Sequence, residues 1–301
     1  MLQKFDPKNK DIKAYVNGKL YPREEAKISV FDSVVQGGDA VWEGLRVYKG
    51  GVFCLDRHLQ RLQESSHALK FENIPPLPKI KEALFKTLEA NQMYDEVHVR
   101  LTLTRGEKIT SGMDPRLNQS GCGLIILAEW KPLVYDNKTG IIVITSAVRR
   151  NNPNYLDSKI HHNNLLNNIL AKIQANIAGA DAAVMLDDNG FISELNDTNL
   201  FMVKNKVVFT PHSDSCLPGI TRGLVIEIAN INHIPVLEKN ISLTEIYNAD
   251  EVFATGTMGE LTPVLEIDGR KIINNSTSTM LAELQNHFHH LVPKYCEKIV
   301  S

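Results

Sequence analysis

Hydrophobic and polar positions alternate with two different periods along this 301-residue chain, and the switches between them mark its elements. In the first 130 residues, runs of period two are punctuated by helical stretches. Tyr15-Val16 leads into Asn17-Gly18, a dipeptide that tolerates the positive φ of a tight hairpin turn. Residues 45–48 and 51–53 flank Lys49-Gly50 in the same way. Leu55, Leu59, Leu62 and Leu69 share one face at helical spacing and predict an amphipathic helix over 55–70, stopped by Pro75, Pro76 and Pro78. A second helix is expected over 79–91. A long strand follows over 96–104, where Val97, Val99, Leu101 and Leu103 alternate with polar partners.

The turn-rich stretch 131–140 reads as a linker, which divides the chain into a small N-terminal domain over 1–130 and a larger one over 141–301. In the second half, strands are expected over 141–145 and 182–186, with an Asn/Leu/Ile-rich helix over 163–177 between them. Asp187-Asp188-Asn189-Gly190 is a hairpin signal, and strand character resumes over 191–194 and 199–203. A helix beginning near Thr221, a strand over 251–254, a turn at Asp268-Gly269 and a C-terminal helix from about Thr277 complete an α+β pattern.

Composition narrows the partners. The chain is 43% hydrophobic and 23% charged, which suits a packed globule, and 33 Lys+Arg against 35 Asp+Glu leave a net charge of -2. No basic footprint for nucleic acid or an anionic membrane is present, so the expected partners are small molecules and protein chains. The apolar runs are of strand length, and the first residues, Met-Leu-Gln-Lys-Phe, lack the apolar core of a secretory signal. Cys54, Cys122, Cys216 and Cys296 lie far apart, without metal or redox spacing, and are expected as reduced thiols in the cytoplasm. His287, His289 and His290 have no carboxylate or cysteine at ligand spacing, so no metal site is expected.

Four features carry candidate chemistry. Leu217-Pro-Gly-Ile-Thr-Arg222 is a glycine-containing turn that opens a helix, so the free N–H groups after Gly219 and the positive end of the dipole can bind a phosphate. Taken alone, such a turn is equally an ordinary helix start. Thr255-Gly256-Thr257 follows an apolar strand and offers hydroxyls with a close backbone approach. Lys159, in Asp157-Ser-Lys-Ile-His-His-Asn-Asn164, has the amine that Schiff-base chemistry needs, and Glu194 is a carboxylate on a strand expected to be largely buried. A phosphate site, a lysine and a buried carboxylate are together what pyridoxal 5'-phosphate (PLP) requires.

These residues fall within a longer resemblance. Val41-Trp-Glu-Gly-Leu-Arg-Val-Tyr48, His58-Leu-Gln-Arg-Leu62, Lys159 with its Asn-rich helix, Ser193-Glu-x4-Asn-Leu-Phe201, Leu217-Pro-Gly-Ile-Thr-Arg222 and Thr255-Gly-Thr257-x-x-Glu-Leu-Thr-Pro263 occur in family order. The chain thereby resembles the class IV, fold-type IV PLP-dependent aminotransferases, most closely those of branched-chain amino acids. The resemblance implies a small α/β N-terminal domain and a larger C-terminal domain with a β-barrel-like core. It implies that Lys159 holds the cofactor and moves the substrate proton, and that Glu194 pairs with the pyridine nitrogen. Arg61 would clamp the phosphate with Gly219, Ile220, Thr221, Gly256 and Thr257, while Leu217 lies against the ring. Thr257 and Met258 would receive the substrate α-carboxylate, Trp42 would line the side-chain pocket, and Arg100 would receive the distal carboxylate of glutamate.

Two positions depart from the family pattern: Gly37 stands where a tyrosine is usual, and Asn164 stands where an Asn-Tyr pair has its tyrosine. His161 or His162 can replace the lost hydrogen bond to the cofactor, although adjacent histidines by themselves read as polar surface. The implied reaction is transamination between an L-branched-chain amino acid and 2-oxoglutarate. D-amino acid aminotransferase and 4-amino-4-deoxychorismate lyase are the alternatives within the family. A homodimer is also implied.

Overall fold

The computed structural model describes residues 4–272 and 279–299. The chain divides into two compact units: one takes the described parts of Leu2–Pro132, Ile160–Asn164 and Val292–Ser301, the other Leu133–Lys159 and Leu165–Leu291.

The first unit begins with the hairpin β1 (Lys13–Val16) and β2 (Lys19–Pro22), closed by Asn17 at φ 46° and Gly18 at φ 99°. The short helix α1 (Ser33–Gly37) leads to β3 (Ala40–Tyr48), which turns at Lys49-Gly50 into β4 (Gly51–Phe53). Helices α2 (Leu55–Ala68) and α3 (Leu77–Ala90) precede β5 (Val97–Thr104) and β6 (Gly123–Trp130). With the strand Cys296–Lys298 they form a seven-stranded antiparallel sheet, in which β3 pairs with β5 and β5 with β6 along their full lengths. Val41, Leu45 and Val47 of β3 and Val97, Val99, Leu101 and Leu103 of β5 share a core with Leu59 and Leu62 of α2 and Leu84 and Leu88 of α3. The period-two pattern thus puts alternate residues against the helices. Those between them, Trp42, Gly44 and Arg46 on β3 and His98, Arg100 and Thr102 on β5, take the other face.

The second unit comprises β7 (Ile141–Thr145), α4 (Leu166–Ile177), β8 (Ala182–Leu186), β9 (Ile192–Leu195), β10 (Asn199–Lys204), β11 (Val207–Thr210), α5 (Ile220–Ile231), β12 (Val236–Glu238), α6 (Leu243–Tyr247), β13 (Glu251–Gly256), β14 (Glu260–Ile267), β15 (Arg270–Lys271) and α7 (Met280–Leu291). Its mixed nine-stranded sheet runs β12-β11-β10-β13-β14-β7-β8-β9, with β15 on β14. Of the expected start of the last helix, Thr277 lies outside the described residues.

One expected helix start is corrected. Residues 163–165 are not helical, because this stretch answers to strand β3. Beyond the two residues that β3 shares with β4, its edge is open, and Ile160–Asn164 fills it. Trp42 donates its main-chain N–H to the His161 carbonyl at 3.0 Å, and Asn163 donates to the Ala40 carbonyl at 2.8 Å. A sheet edge with unpaired backbone groups outcompetes the first turn of a helix whose own amides would stay orphaned there.

Candidate active-site residues

Lys159 is the last residue of its segment in the second unit. Its Nζ donates to the Asp214 carbonyl at 3.2 Å and lies 3.3 Å from Asp157 Oδ1, with the side chain 42% exposed. The same loop reaches Glu194 by short steps: the Ser193 hydroxyl donates to the Ser215 carbonyl at 2.8 Å, and the Leu217 amide to Glu194 Oε1 at 3.4 Å. Glu194 sits on β9, where the sheet buries both faces. Burial raises its carboxyl above the ordinary value, opposed by the Arg150 guanidinium, whose Nε donates to Oε1 at 2.7 Å. Asn199 donates one amide proton to Glu194 Oε2 at 3.0 Å and the other to the Leu217 carbonyl at 2.9 Å.

Asn199 also pairs in register with Thr255, which brings the Thr255–Thr257 turn beside this group. The Thr255 hydroxyl is buried without a hydrogen-bond partner. Gly219 caps α5 with no side-chain contribution, and the first amide bonded back to it is that of Gly223, so those of Ile220 and Thr221 lack a helical acceptor. A Cβ at Gly219 would collide with Asn199 Oδ1, and one at Gly256 would come within 2.8 Å of Thr198 Cγ2. An amine, a buried carboxylate, free helix amides and an orphaned hydroxyl fit the aldehyde, pyridine nitrogen and phosphate of PLP. The carboxylate has about four lone-pair sites, so its contacts to Arg150, Asn199 and Leu217 leave room for a pyridinium proton.

Arg61 belongs to the other unit. From α2 its Nε donates to Glu43 Oε1 at 2.8 Å and its Nη2 to Oε2 at 2.7 Å. Glu43 is on the helix-facing side of β3 and fully buried, and it also meets His58 Nδ1 at 2.6 Å and His161 Nδ1 at 3.2 Å. Burial alone would raise the Glu43 carboxyl, but Arg61 and then His161 hold it well below the usual carboxylate range. Burial pushes His161 down to about 4, against the pull of Glu43. The two adjacent histidines are therefore not polar surface: His161 lies against Glu43 and Trp42, and His162 is 4% exposed.

On the opposite face of the same sheet, the Arg100 guanidinium lies 3.8 Å from the centroid of the Trp42 ring, and its Nη2 donates to Asn163 Oδ1 at 2.9 Å. No carboxylate among the described residues pairs with it. The His161 ring also packs against Trp42, tilted by 38° with ring centroids 4.2 Å apart, and Trp42 Nε1 donates to the His162 carbonyl at 3.2 Å.

The three C-terminal histidines have separate partners. His289 Nε2 meets Glu260 Oε2 at 3.1 Å, His290 Nδ1 meets the Asn286 carbonyl at 2.7 Å, and His287 lies 3.9 Å from Glu283. Sequence spacing alone gives Arg150, Asn199, Glu43 and Asn163 no role. The doublet Arg149-Arg150 in an otherwise uncharged stretch, and a glutamate among the apolar residues of β3, were the available signals.

Residues 40–267 match the family model described as amino-transferase class IV. The "Branched-chain-amino-acid aminotransferase-like protein 2" of Arabidopsis thaliana is 58% identical over 285 residues, covering 95% of this chain and 51% of that protein. The chain thus spans about half the length of that relative. A "Putative branched-chain-amino-acid aminotransferase" of Methanocaldococcus jannaschii is 39% identical, covering 96% of this chain and 99% of that one. Among solved structures, a T.th. branched-chain amino acid aminotransferase complexed with N-(5'-phosphopyridoxyl)-L-glutamate aligns with a TM-score of 0.88 at 30% identity, over 96% of this chain and 99% of that one. The expected fold is the observed one.

Proposed function

We propose, from the premise that this chain belongs to the class IV aminotransferase family, that it transfers the amino group of an L-branched-chain amino acid to 2-oxoglutarate with PLP as cofactor. The observation that carries the acceptor half is Arg100, a partly buried guanidinium with a neutral hydrogen-bond partner and no carboxylate paired with it among the described residues. A cation desolvated this way gains most from a ligand that brings a carboxylate.

PLP, when bound, supplies an aldehyde for the amine and a ring that withdraws electrons from the substrate Cα. In this reading Lys159 Nζ would take the proton from the substrate Cα and deliver it to C4′, the former aldehyde carbon of the cofactor. Glu194, fixed by Arg150 and Asn199, holds the proton on the pyridine nitrogen. The amides of Ile220, Thr221 and Thr257 would hold the phosphate, with Gly219 and Gly256 allowing close approach and Leu217 against the ring, and the family resemblance adds the Arg61 side chain as a further phosphate ligand. Thr257 and Met258 amides take the substrate α-carboxylate, and Trp42 bounds the side-chain pocket. The purified protein should absorb in the visible range, and borohydride should fix a pyridoxyl group on Lys159. A colourless protein that binds no PLP rejects the reading. Arg100→Ala should lower kcat/KM for 2-oxoglutarate by about 100-fold. Unchanged affinity for 2-oxoglutarate means a different acceptor, and comparing L-leucine, D-alanine and chorismate-derived donors settles the other half.

A cytoplasmic homodimer completes the proposal. Helix α4 packs Ala171 and Ala175 inward and exposes Leu166, Ile169, Leu170, Ile173 and Ile177 along one stripe, a face suited to a second copy of the chain. Ile173→Glu should convert a dimeric mass in light scattering to a monomeric one. An unaltered dimer places the interface elsewhere. No helix among the described residues is long and apolar enough to cross a membrane.

A further inference from the structure

Every group that holds Arg100 is uncharged, and we infer that Asn163 is a positioning residue that aims its guanidinium at the distal carboxylate of a dicarboxylic acceptor. The inference rests on the acceptor reading above and extends it to a residue with no role so far.

The argument starts from the strap Ile160–Asn164. Its backbone is pinned to β3 through the Asn163 amide and the His161 carbonyl, so the Asn163 side chain leaves from a fixed point. The same strap holds the Trp42 ring, by the bond from Nε1 to the His162 carbonyl and by the His161 ring. Arg100 therefore has a flat floor and one fixed edge, both supplied by or through five consecutive residues. Across the sheet it pairs with Gly44, which places no side chain between Trp42 and His98. A guanidinium has five N–H donors in one plane. Stacking on the indole uses its face, and Asn163 takes one donor, so the remaining in-plane donors stay available for a two-oxygen fork. Fixing the plane beforehand removes the ordering cost that a free arginine would meet on binding.

The neutrality of Asn163 is the chemical point. An aspartate at this position would give the same geometry with a carboxylate, fill the fork and cancel the charge. A dicarboxylate would then compete with an internal anion, whereas an acceptor with an apolar side chain would not.

Holoenzymes of the wild type, Asn163→Asp, Asn163→Ala and Arg100→Ala are to be compared with L-valine as donor and either 2-oxoglutarate or 4-methyl-2-oxopentanoate as acceptor. The readout is the ratio of the two kcat/KM values. Asn163→Asp should lower the ratio by about 30-fold or more. Asn163→Ala, which adds no charge and carries the test if the aspartate variant does not fold, should lower it by about 5-fold, chiefly through the KM for 2-oxoglutarate. A ratio within twofold of wild type in the Asn163 variants, with Arg100→Ala lowering it, overturns the positioning role alone. A ratio unmoved by Arg100→Ala overturns the acceptor reading and this inference with it.

Discussion

Lys159→Ala should leave a folded protein whose transamination rate is lower by about 10⁴-fold or more. The size of the effect follows from the two tasks one amine performs in the proposed reaction, holding the cofactor and carrying the substrate Cα proton, so that no neighbour replaces it. Asp157 and the Asp214 carbonyl are the groups its Nζ contacts; both lack a nucleophilic amine. Stability should change little, because the side chain is 42% exposed and its contacts are those of a partly solvated lysine, a setting where substitutions stay within about 0.5 kcal/mol. Lys159→Arg separates charge from chemistry: it preserves the positive charge near Asp157 but should be as inactive as the alanine variant. Melting curves and single-turnover consumption of the amino donor check both parts. Retention of more than a few per cent of turnover in Lys159→Ala would show that another base moves the proton.

The local signals that were legible in the sequence are those that a short window can contain. Asn17-Gly18 and Lys49-Gly50 form tight hairpins because both residues of each turn adopt positive φ, and the leucine spacing over 55–69 yields α2 almost to the residue. The strap after Lys159 was illegible for the opposite reason: its extended form depends on the open edge of β3, more than a hundred residues earlier in the chain. The same distance hid the partners of the site. Glu194 was recognisable as a buried carboxylate, but Arg150, which opposes its neutralisation, lies 44 positions away. Asn163 reads as a helix residue until β3 is known to bind it, and Glu43 reads as the family's motif residue until α2 is folded over it. Gly37 and Asn164 show what the departures do locally: Asn164 donates its amide to the Gly38 carbonyl at 3.1 Å, so the strap is tied to the end of α1 where a tyrosine was expected.

Glu43→Ala should strongly destabilise the first unit. It would remove the acceptor shared by Arg61, whose side chain is 10% exposed, and His58, at 1%. Removing one partner of a buried pair costs about 3–5 kcal/mol, because the remaining charge stays desolvated. For a unit of this size that corresponds to a fall in Tm on the order of 10 °C. Glu43→Gln, which keeps the shape and two acceptor sites, should fall between; a Glu43→Ala variant melting within 2 °C of wild type would show that water replaces the carboxylate. This cluster, together with His98 on the opposite face of the sheet, sets the response to acid. His161 is held down to about 4, His98 to about 3, and His58 below its ordinary value, in each case by burial first. The unfolded chain therefore binds protons on these imidazoles below about pH 6.5, where the folded chain does not. Depressed folded values give stability that is complete above the unfolded value and lost as pH falls through the folded one. Glu43, held low by Arg61 and His161 against its burial, has the same sign in a window beginning near pH 4.5. The Tm should be flat above about pH 7 and decline steadily from about 6.5 towards 4. Constant melting between pH 7 and 5 would mean that His161 and His98 take up protons without leaving their sites, and that the buried cluster is open to water.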